Sequence, residues 1–439
     1  MKDKKTILMI ANSETASNGF LSFAERLKGR EEIGLVLICH PRVRIDVVKE
    51  KSRKLDDVHV EILDFDEEER RAGDKRVKQE YHYVKDRLYV SIIKAVYNTI
   101  KTTAHNFRGL KRAKFIMRQN KPNMILLYDD NRLEFEKYFV YYAKKWGIQT
   151  IVAPICMADI EGILINPSNG FRIKKGDKLP ITARIIKYIN PQIDREYRDE
   201  IVFFGQPFLN IIDYLMGFRV PNPWVQGSLA DIVCTAYQEQ YDETVRELGR
   251  ENTEGRLFLT ESVEDGIIIG GYQNRKSLKN ELYGKYSLCG KTTVIIAFSE
   301  RVQKWSKEND LSNKGIIVRS VLEYYDEVLV SLHPKSDVEE NRFLEDYDGC
   351  HIVDEPLRNI IGAADLIIYA DMSSIARWVE WLQIHKVTYL SYSMQEKWTD
   401  DMIREFKKEL ADSVEMVKEE KRPELKRGID FVEFVLERL

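Results

Sequence analysis

The sequence lacks paired cysteines and a strong net charge, and each absence excludes a class of protein. Its five cysteines are scattered without CxxC spacing, which excludes a zinc ribbon and a disulfide framework. Four of them lie in or beside apolar runs, so we expect reduced, mostly buried thiols. The formal net charge is −3. A protein with so little net charge has no overall attraction to nucleic acid, so we expect no nucleic-acid partner.

Long apolar runs are also missing. No run approaches the roughly 20 apolar residues that a membrane-spanning helix needs. Residues 1–5 precede only about five apolar residues, which is too few for a signal peptide. We therefore expect a cytoplasmic protein.

The composition that is present predicts a folded chain of two domains. Hydrophobic residues make up 44% of the 439 residues and charged residues 32%. That balance is typical of globular proteins with a sizeable core, and the length is more than one domain usually has.

The most informative stretch lies between residues 327 and 380. An apolar run, 328–332, predicts a buried parallel strand that ends at His333-Pro334-Lys335. A second such run, 365–369, leads to Asp371, Met372, Ser373 and Ser374 and then to a predicted helix over 375–382. Ligands of open α/β sheets bind outside the carboxyl ends of the strands. We expect these two strands to be neighbours that bring their polar residues to one crevice.

Phosphate binding is the chemistry that these residues suggest. Ser373 and Ser374 offer hydroxyl groups beside the unpaired N–H groups of a helix N-terminus. The simpler alternative is that Asp371 or one serine only caps the helix. His333 could equally be a structural histidine, although Pro334 favours an extended exit that presents the imidazole at the strand tip.

Together these residues resemble a known family. A strand ending in His333-Pro334, the acidic Asp354-Glu355-Pro356-Leu357 and the sequence ADLIIYADMSSIARWVEW of residues 364–381 are similar to the nucleotide-binding domain of GT-B glycosyltransferases. The pattern resembles that of bacterial sialyl-, polysialyl- and Kdo transferases and CDP-glycerol glycerophosphotransferases. The hydrolysing UDP-GlcNAc 2-epimerases share the fold. The resemblance implies an α/β protein with two Rossmann-like domains whose parallel sheets face each other across a cleft.

The resemblance also implies which residues hold the donor. The His-Pro and Ser-Ser elements would bind the phosphates and nucleotide, with Lys335 beside them. Ser299 and Arg301, at the tip of a predicted strand over 292–298, are further phosphate contacts, or simply begin a helix. Glu380 would hold the ribose, with Glu355 as the alternative ribose or base contact. The Gly-x-Pro that usually follows is replaced by 385–387, His-Lys-Val.

The N-terminal half begins with a predicted βαβ unit: a strand over 6–11, a helix over 20–27 and a strand over 34–39. The loop over 12–19 lacks GxGxxG, which argues against a dinucleotide-binding dehydrogenase. The resemblance places Ser13, Thr15 and Asn18 of this loop on the acceptor side. A solvated turn is the simpler alternative.

Three carboxylates are candidates for the general base, namely Asp129, Asp130 and Glu161. A transfer with inversion needs a base beside the acceptor hydroxyl, although acidic residues at strand ends are often helix caps or solvated turns. Asp64-Phe65-Asp66 has the Asp-x-Asp spacing of metal-dependent transferases. It leads directly into an acidic run, so we interpret it as solvated and expect no metal and no cofactor.

Two segments each allow two interpretations. Residues 101–118 carry six Lys and Arg residues, which indicates a solvated helical face or, alternatively, contact with an anionic acceptor or a membrane surface. Residues 166–222 are predicted to be an insertion. Its apolar-aromatic stretch, 201–218, favours an ordinary core helix over an acceptor-binding or membrane-touching element.

The sequence thus predicts an N-terminal acceptor-side domain, 1–285, and a C-terminal nucleotide-binding domain, 286–439. A linker over 266–290 would join them, and the last helix, 424–439, would cross back to the first domain. The predicted activity is metal-independent, inverting transfer of a sugar or sugar acid from a CMP-, CDP- or UDP-linked donor to a polysaccharide or lipid-linked glycan. The protein would work in the cytoplasm, with peripheral contact to the inner face of the cell membrane. The alternatives are a nucleotide-sugar 2-epimerase and a non-catalytic GT-B-like binding protein.

Overall fold

A computed structural model describes residues 4–41, 43–53, 55, 60–65, 88–131, 135–155, 160, 164, 170–299, 306–333, 336–371, 373, 375–417 and 428–439. The chain divides into two compact units. Unit 1 comprises residues 1–264 and 428–439, and unit 2 comprises residues 265–427. The division falls after residue 264, whereas the sequence suggested residue 285.

The described strands are, in chain order, β1 (Lys5–Ala11), β2 (Ile33–Cys39), β3 (Val60–Asp64), β4 (Met124–Leu127), β5 (Gln149–Val152), β6 (Gly170–Lys174), β7 (Asp194–Tyr197), β8 (Glu200–Phe204), β9 (Ile232–Thr235), β10 (Leu257–Leu259), β11 (Val294–Ala297), β12 (Val328–Ser331), β13 (Cys350–Ile352), β14 (Leu366–Ala370) and β15 (His385–Tyr389).

The described α-helices are α1 (Glu14–Glu25), α2 (Ile45–Arg53), α3 (Leu88–Asn120), α4 (Glu136–Trp146), α5 (Ile181–Ile189), α6 (Pro207–Leu215), α7 (Gln238–Leu248), α8 (Arg250–Thr253), α9 (Asp265–Gln273), α10 (Arg275–Tyr286), α11 (Lys307–Leu322), α12 (Val338–Asn341), α13 (Leu357–Ile360), α14 (Ala376–Trp381), α15 (Asp400–Met416) and α16 (Phe431–Leu436). Short 3₁₀ turns occupy Arg342–Asp346, Ile361–Ala363 and Ser391–Gln395.

Unit 1 is built on a seven-stranded parallel sheet. Its strand order is β10-β9-β5-β4-β1-β2-β3. Strands such as β1 and β4 are nearly continuous apolar runs because helices cover both faces of a parallel sheet. One apolar core includes Phe20 of α1, and the other includes Phe139 of α4.

Unit 2 repeats this architecture with a five-stranded parallel sheet in the order β13-β12-β11-β14-β15. Its apolar residues likewise form one core on each face of the sheet. The predicted fold class, α/β with two Rossmann-like parallel sheets, is confirmed.

Each parallel sheet has a point at which the strand order reverses. In unit 1 the chain builds β1, β2 and β3 in one direction and then continues with β4 on the other side of β1. In unit 2 it builds β11, β12 and β13 before continuing with β14 on the other side of β11. Such switch points open a crevice at the carboxyl ends of the strands, where ligands of doubly wound sheets bind.

Two predicted irregular segments are helical instead. The loop predicted over 12–19 ends at Ser13, because the Ser13 hydroxyl caps α1 by accepting a hydrogen bond from the Ala16 N–H, at 3.2 Å. The linker predicted over 266–290 contains α9 and α10, both within unit 2. Its Gly270-Gly271 pair, which suggested a linker, lies within α9.

The insertion also differs from its prediction. It holds a three-stranded antiparallel sheet in the order β6-β8-β7, together with α5 and α6. The stretch over 201–218, for which a core helix was favoured, therefore divides into strand β8 and helix α6. Successive side chains of β8 lie on opposite faces of the sheet, so that Val202 packs in one small core and Phe203 in another, as expected for a strand. Within the described residues, we find no helix of the length and apolarity needed to span a bilayer.

Helix α16, near the end of the sequence, packs on unit 1. Phe431 joins the core beside Phe23 of α1, with ring centroids 5.9 Å apart. Asp430 caps α16 and forms an ion pair with Arg26, with 2.5 Å between the guanidinium nitrogen and the carboxylate oxygen. Residues 424–427 of the predicted last helix lie outside the described residues.

Candidate functional site

The register of the unit 2 sheet places three residues of the predicted site region at the same height along one edge of the sheet. Ala297 of β11 pairs with Ser331 of β12 on one side and Tyr369 of β14 on the other. Ser299, His333 and Asp371 each follow two residues later. Because all three strands are parallel, these residues leave the sheet at the same edge and the same height. Ser373 lies two residues beyond Asp371.

One prediction about this edge is wrong. The strands that carry His333 and Ser373 are not neighbours, because β11 lies between β12 and β14. Adjacent strands are about 4.8 Å apart, so the ends of β12 and β14 are separated by roughly 10 Å. Ser299 stands between them. The three residues thus form a row across the switch point, rather than one tight cluster.

Ser373 follows β14 in a turn and is partly exposed. Its N–H donates to the Ala370 carbonyl at 2.9 Å, and its hydroxyl accepts a long hydrogen bond of 3.5 Å from the Ile375 N–H. The alternative that Asp371 caps the helix stays a prediction, and its carboxylate accepts a hydrogen bond from the Ser391 N–H at 2.8 Å. Ser374 lies outside the described residues.

The helix after Ser373 is shorter than predicted. It runs only over Ala376–Trp381, and no side chain caps its N-terminus within the described residues. A six-residue helix has few aligned peptide dipoles, so hydroxyls and backbone N–H groups, more than a macrodipole, would have to hold an anion here.

His333 is the second residue after the end of β12, and it is partly exposed. Its carbonyl accepts a hydrogen bond from the Ser336 N–H at 2.8 Å. The chain then enters α12, which Asp337 caps. Pro334 and Lys335 lie outside the described residues, as does Arg301 near Ser299.

Glu355 follows β13, and its carboxylate is fully engaged. One oxygen accepts from Lys285 and the other from the Tyr286 hydroxyl, both at 2.6 Å. Burial opposes ionisation, but these hydrogen bonds outweigh it and hold the pKa of Glu355 below its ordinary value. A role in binding a ribose or base stays a prediction, and it would require Glu355 to exchange one of these partners.

Glu380 lies on α14 with its side chain exposed. Its carboxylate pairs with Lys386 of β15 at 3.2 Å. Ribose binding by Glu380 stays a prediction.

The sequence did not single out Tyr389, which ends β15 at the same edge of the sheet. Its side chain is buried, and burial raises the pKa of the phenol, an effect that nearby Ser299 partly offsets. Close by, Lys314 forms a buried ion pair with Asp310 at 2.8 Å and lies over the ring of Phe298. Tyr389 could have been predicted from the sequence, because β15 is a parallel strand of the same sheet and must also end at this edge.

The switch point of unit 1 holds the predicted acceptor-side residues. Ser13 caps α1, and Thr15 and Asn18 lie within that helix. Thr15 is exposed, and the Asn18 side chain accepts from Lys51 at 2.9 Å. Their contact with an acceptor stays a prediction.

The two aspartates after β4 have different surroundings. Asp130 accepts three backbone hydrogen bonds, from the N–H groups of Gly227 at 2.8 Å and of Leu229 and Ala230 at 2.7 Å. It therefore fixes the loop that leads to β9. Asp129 is also buried, with 4% of its surface exposed. Because Ile10 pairs with Leu127, Asp129 leaves the sheet level with Asn12. Glu161 lies outside the described residues.

A buried polar network lies at the same edge of unit 1, and sequence reasoning did not find it. The Thr235 hydroxyl at the end of β9 donates to Gln240 at 2.7 Å, and Gln240 donates to Gln226 at 3.1 Å. Gln226 reaches the Tyr128 carbonyl, after β4, at 3.4 Å. The network ties the ends of two strands together and stiffens this side of the crevice.

The structure, as far as it is described, holds no group of three or more His, Cys, Asp or Glu side chains arranged to bind a metal ion. Cys39, Cys234 and Cys350 are buried and Cys289 is exposed, and none of these four described cysteines forms a disulfide. Burial raises the pKa of the Cys234 thiol. The interpretation that residues 64–66 are solvated and form no metal site stays a prediction, since residue 66 lies outside the described residues.

No protein-family model and no curated protein sequence matches this chain. Solved structures do show similarity over nearly the whole length. UDP-GlcNAc 2-epimerase from Neisseria meningitidis bound to UDP-GlcNAc aligns at 10% identity with a TM-score of 0.48, covering 99% of each chain. The epimerase from Methanocaldococcus jannaschii aligns at 11% identity with a TM-score of 0.49, covering 98% of each chain.

A third solved structure is also similar. Acinetobacter baumannii MurG aligns at 11% identity with a TM-score of 0.39, covering 99% of this chain and 98% of that one. These TM-scores all lie below 0.5. The fold assignment therefore rests on the strand order of the two parallel sheets, which is the layout that doubly wound α/β proteins share.

Proposed function

We propose that this chain is a nucleotide-sugar-binding protein of the GT-B type that acts as a glycosyltransferase. The observation that carries the proposal is the row of Ser299, His333 and the turn at Ser373 along one edge of the unit 2 sheet, at its switch point. That is the place where doubly wound sheets bind their ligands.

The row suits a sugar nucleotide better than a single phosphate. It spans three strands, or roughly 10 Å. A diphosphate with its attached ribose is extended enough to follow such a row, whereas one phosphate would contact only one strand end. Hydroxyl groups and an imidazole can donate hydrogen bonds to phosphate oxygens without a metal ion.

These groups would act on the leaving nucleotide. Negative charge grows on the phosphate oxygen as the bond to the sugar breaks, and donors placed beforehand stabilise that charge. His333 would supply the largest share, because a protonated imidazole forms a charge-assisted hydrogen bond. Ser299 and Ser373 would hold the remaining phosphate oxygens in place.

The proton of the acceptor hydroxyl would go to a carboxylate of unit 1. The candidates are Asp129, Asp130 and Glu161, and Asp130 would have to give up one of the three backbone hydrogen bonds that it accepts. The proposed acceptor is a polysaccharide or lipid-linked glycan, reached in the cytoplasm or by peripheral contact with the membrane.

Nucleotide release from CMP-, CDP- and UDP-linked sugars, with and without a glycan acceptor, tests this proposal. A transferase releases nucleotide only when an acceptor is present. Release of UDP without acceptor would identify a 2-epimerase instead. Failure to bind any of these donors would leave a non-catalytic binding protein.

A further inference from the structure

Helix α3 has an unusual charge content. Residues 88–120 include four Lys and three Arg but no Asp or Glu, in a chain that has 71 acidic residues. Most long surface helices mix the two signs, since Glu and Lys one turn apart stabilise each other. The absence of acidic residues therefore calls for a reason other than helix stability.

One face of α3 is anchored in unit 1. Asn106, Gly109 and Ala113 lie on this buried face. The Asn106 side chain accepts from the Tyr138 hydroxyl and donates to Asp213, both at 2.8 Å. Gly109 lets Tyr138 approach so closely that a Cβ atom there would lie 2.2 Å from its ring. The orientation of the helix on unit 1 is thereby fixed.

The opposite face presents aromatic and basic residues to solvent. We call it the basic stripe, and its members follow helical spacing: Ile100, Phe107, Lys111, Phe115 and Arg118. Ile100, Phe107 and Phe115 expose 65%, 63% and 58% of their surfaces. Arg112 lies outside the stripe, as it turns toward the carbonyl of Phe65 at 3.2 Å.

The chemistry of the stripe selects among partners. A second copy of the chain would bring like charges together, which is unfavourable. A soluble polyanion would satisfy the cations but leave three large apolar side chains in water. An anionic membrane surface satisfies both, because lipid phosphates pair with Lys and Arg while aromatic rings enter the boundary between headgroups and acyl chains.

We propose that the basic stripe docks unit 1 on anionic lipid membranes, with α3 lying parallel to the surface. This inference rests on the peripheral membrane contact of the proposed function, but the stripe belongs to unit 1 and needs no nucleotide, so its test can fail while the nucleotide test succeeds. It would place an enzyme with a lipid-linked substrate at the surface where that substrate is found.

Vesicle co-sedimentation of the full chain tests the proposal. One set of vesicles is pure phosphatidylcholine, and the other contains about one third phosphatidylglycerol. We expect binding to the anionic vesicles only, weakened by added salt because exposed charges are screened. The variant K111Q/R118Q should bind roughly 30-fold more weakly, at about fivefold for each basic residue near the surface. F107A/F115A should lose at least about tenfold, because the buried apolar area is lost.

The matched control is K276Q/K408Q, which removes two exposed lysines of unit 2 and should leave binding unchanged. Thermal unfolding of each variant verifies the fold. Equal binding to neutral and anionic vesicles would overturn the proposal. The proposal would also be overturned if the control variant bound as weakly as K111Q/R118Q. A third contrary result would be a protein that does not bind the vesicles but binds soluble dextran sulfate through the stripe.

Discussion

At the scale of single residues, the imidazole of His333 should matter most for turnover. If it stabilises the charge of the departing nucleotide, H333A should lower turnover by roughly 100-fold or more while the fold stays intact. Steady-state nucleotide release at saturating donor and acceptor measures this effect.

The control for this variant is H385A. His385 begins β15 at the amino edge of the same sheet, away from the proposed site. It should keep near-normal turnover, and circular dichroism should show both variants folded. Near-normal turnover by H333A would reject the role assigned to the imidazole.

A second residue-scale prediction concerns acid stability. Asp365 pairs with Arg275 and with Lys279 and accepts from the Thr293 N–H at 2.7 Å. Burial opposes its ionisation, but the Lys279 and backbone hydrogen bonds and the Arg275 charge outweigh it and lower the pKa of Asp365. A carboxyl group whose pKa is lowered by folding stabilises the fold at pH values above its ordinary pKa. This contribution is lost as the pH falls through the folded-state pKa.

The variant D365N should therefore be less stable than the wild-type chain by about 2 kcal/mol at neutral pH. This loss is smaller than the loss from breaking a fully buried ion pair. The difference in the free energy of unfolding should shrink below about pH 4, as the wild-type carboxyl takes up a proton. Urea unfolding at several pH values measures it. D401N, at an exposed ion pair with Arg404, should change stability by under about 0.5 kcal/mol. A pH-independent difference for D365N would contradict the account.

At the scale of elements, the packing of α3 on α4 depends on Gly109. In G109A the new methyl group would clash with the Tyr138 ring and displace the hydrogen bond from Tyr138 to Asn106. Overpacking of this kind should destabilise unit 1 by about 2 kcal/mol, although alanine favours helix formation. Denaturant unfolding followed by tryptophan fluorescence measures the loss.

Gly284 provides the comparison. It lies in α10, is exposed and would place a Cβ in open space. G284A should thus leave stability unchanged or raise it by up to about 1 kcal/mol. If G109A were as stable as G284A, the close approach of the two helices would not be a packing constraint.

Elements with a strong apolar pattern could be predicted from the sequence. Buried parallel strands such as β1, β12 and β14 contain nearly uninterrupted apolar residues, and their predicted bounds agree with the structure to within about two residues. The helix start at Glu14 was missed because residues 12–19 are rich in Ser, Asn and Thr, which favour both caps and turns.

The order of strands in a sheet could not be predicted in the same way. Apolar runs identify β11, β12 and β14 but do not encode which lie side by side, because the neighbours of a parallel strand are set by long crossover connections. The expectation that β12 and β14 are adjacent therefore failed, while the expectation that both end at one edge held.

At the scale of the whole molecule, two parallel-sheet units have distinct proposed tasks. Unit 2 would bind the nucleotide and unit 1 the acceptor and the membrane. Because each unit has its own cores on both faces of its sheet, a variant in one unit should leave the fold of the other intact. The vesicle experiment and the nucleotide experiment can therefore fail independently.

Nucleotide binding tests the central claim most directly. UDP, CMP, CDP and GDP are added in turn to the full chain, and amide hydrogen exchange is followed by mass spectrometry. A nucleotide at about 100 times its dissociation constant should stabilise the bound form by about 2.7 kcal/mol. We predict that at least one nucleotide slows exchange at residues 297–299, 331–333 and 370–373, and that H333A weakens this protection while H385A preserves it. No slowing at these three strand ends with any of the four nucleotides, or protection confined to unit 1, would contradict the account.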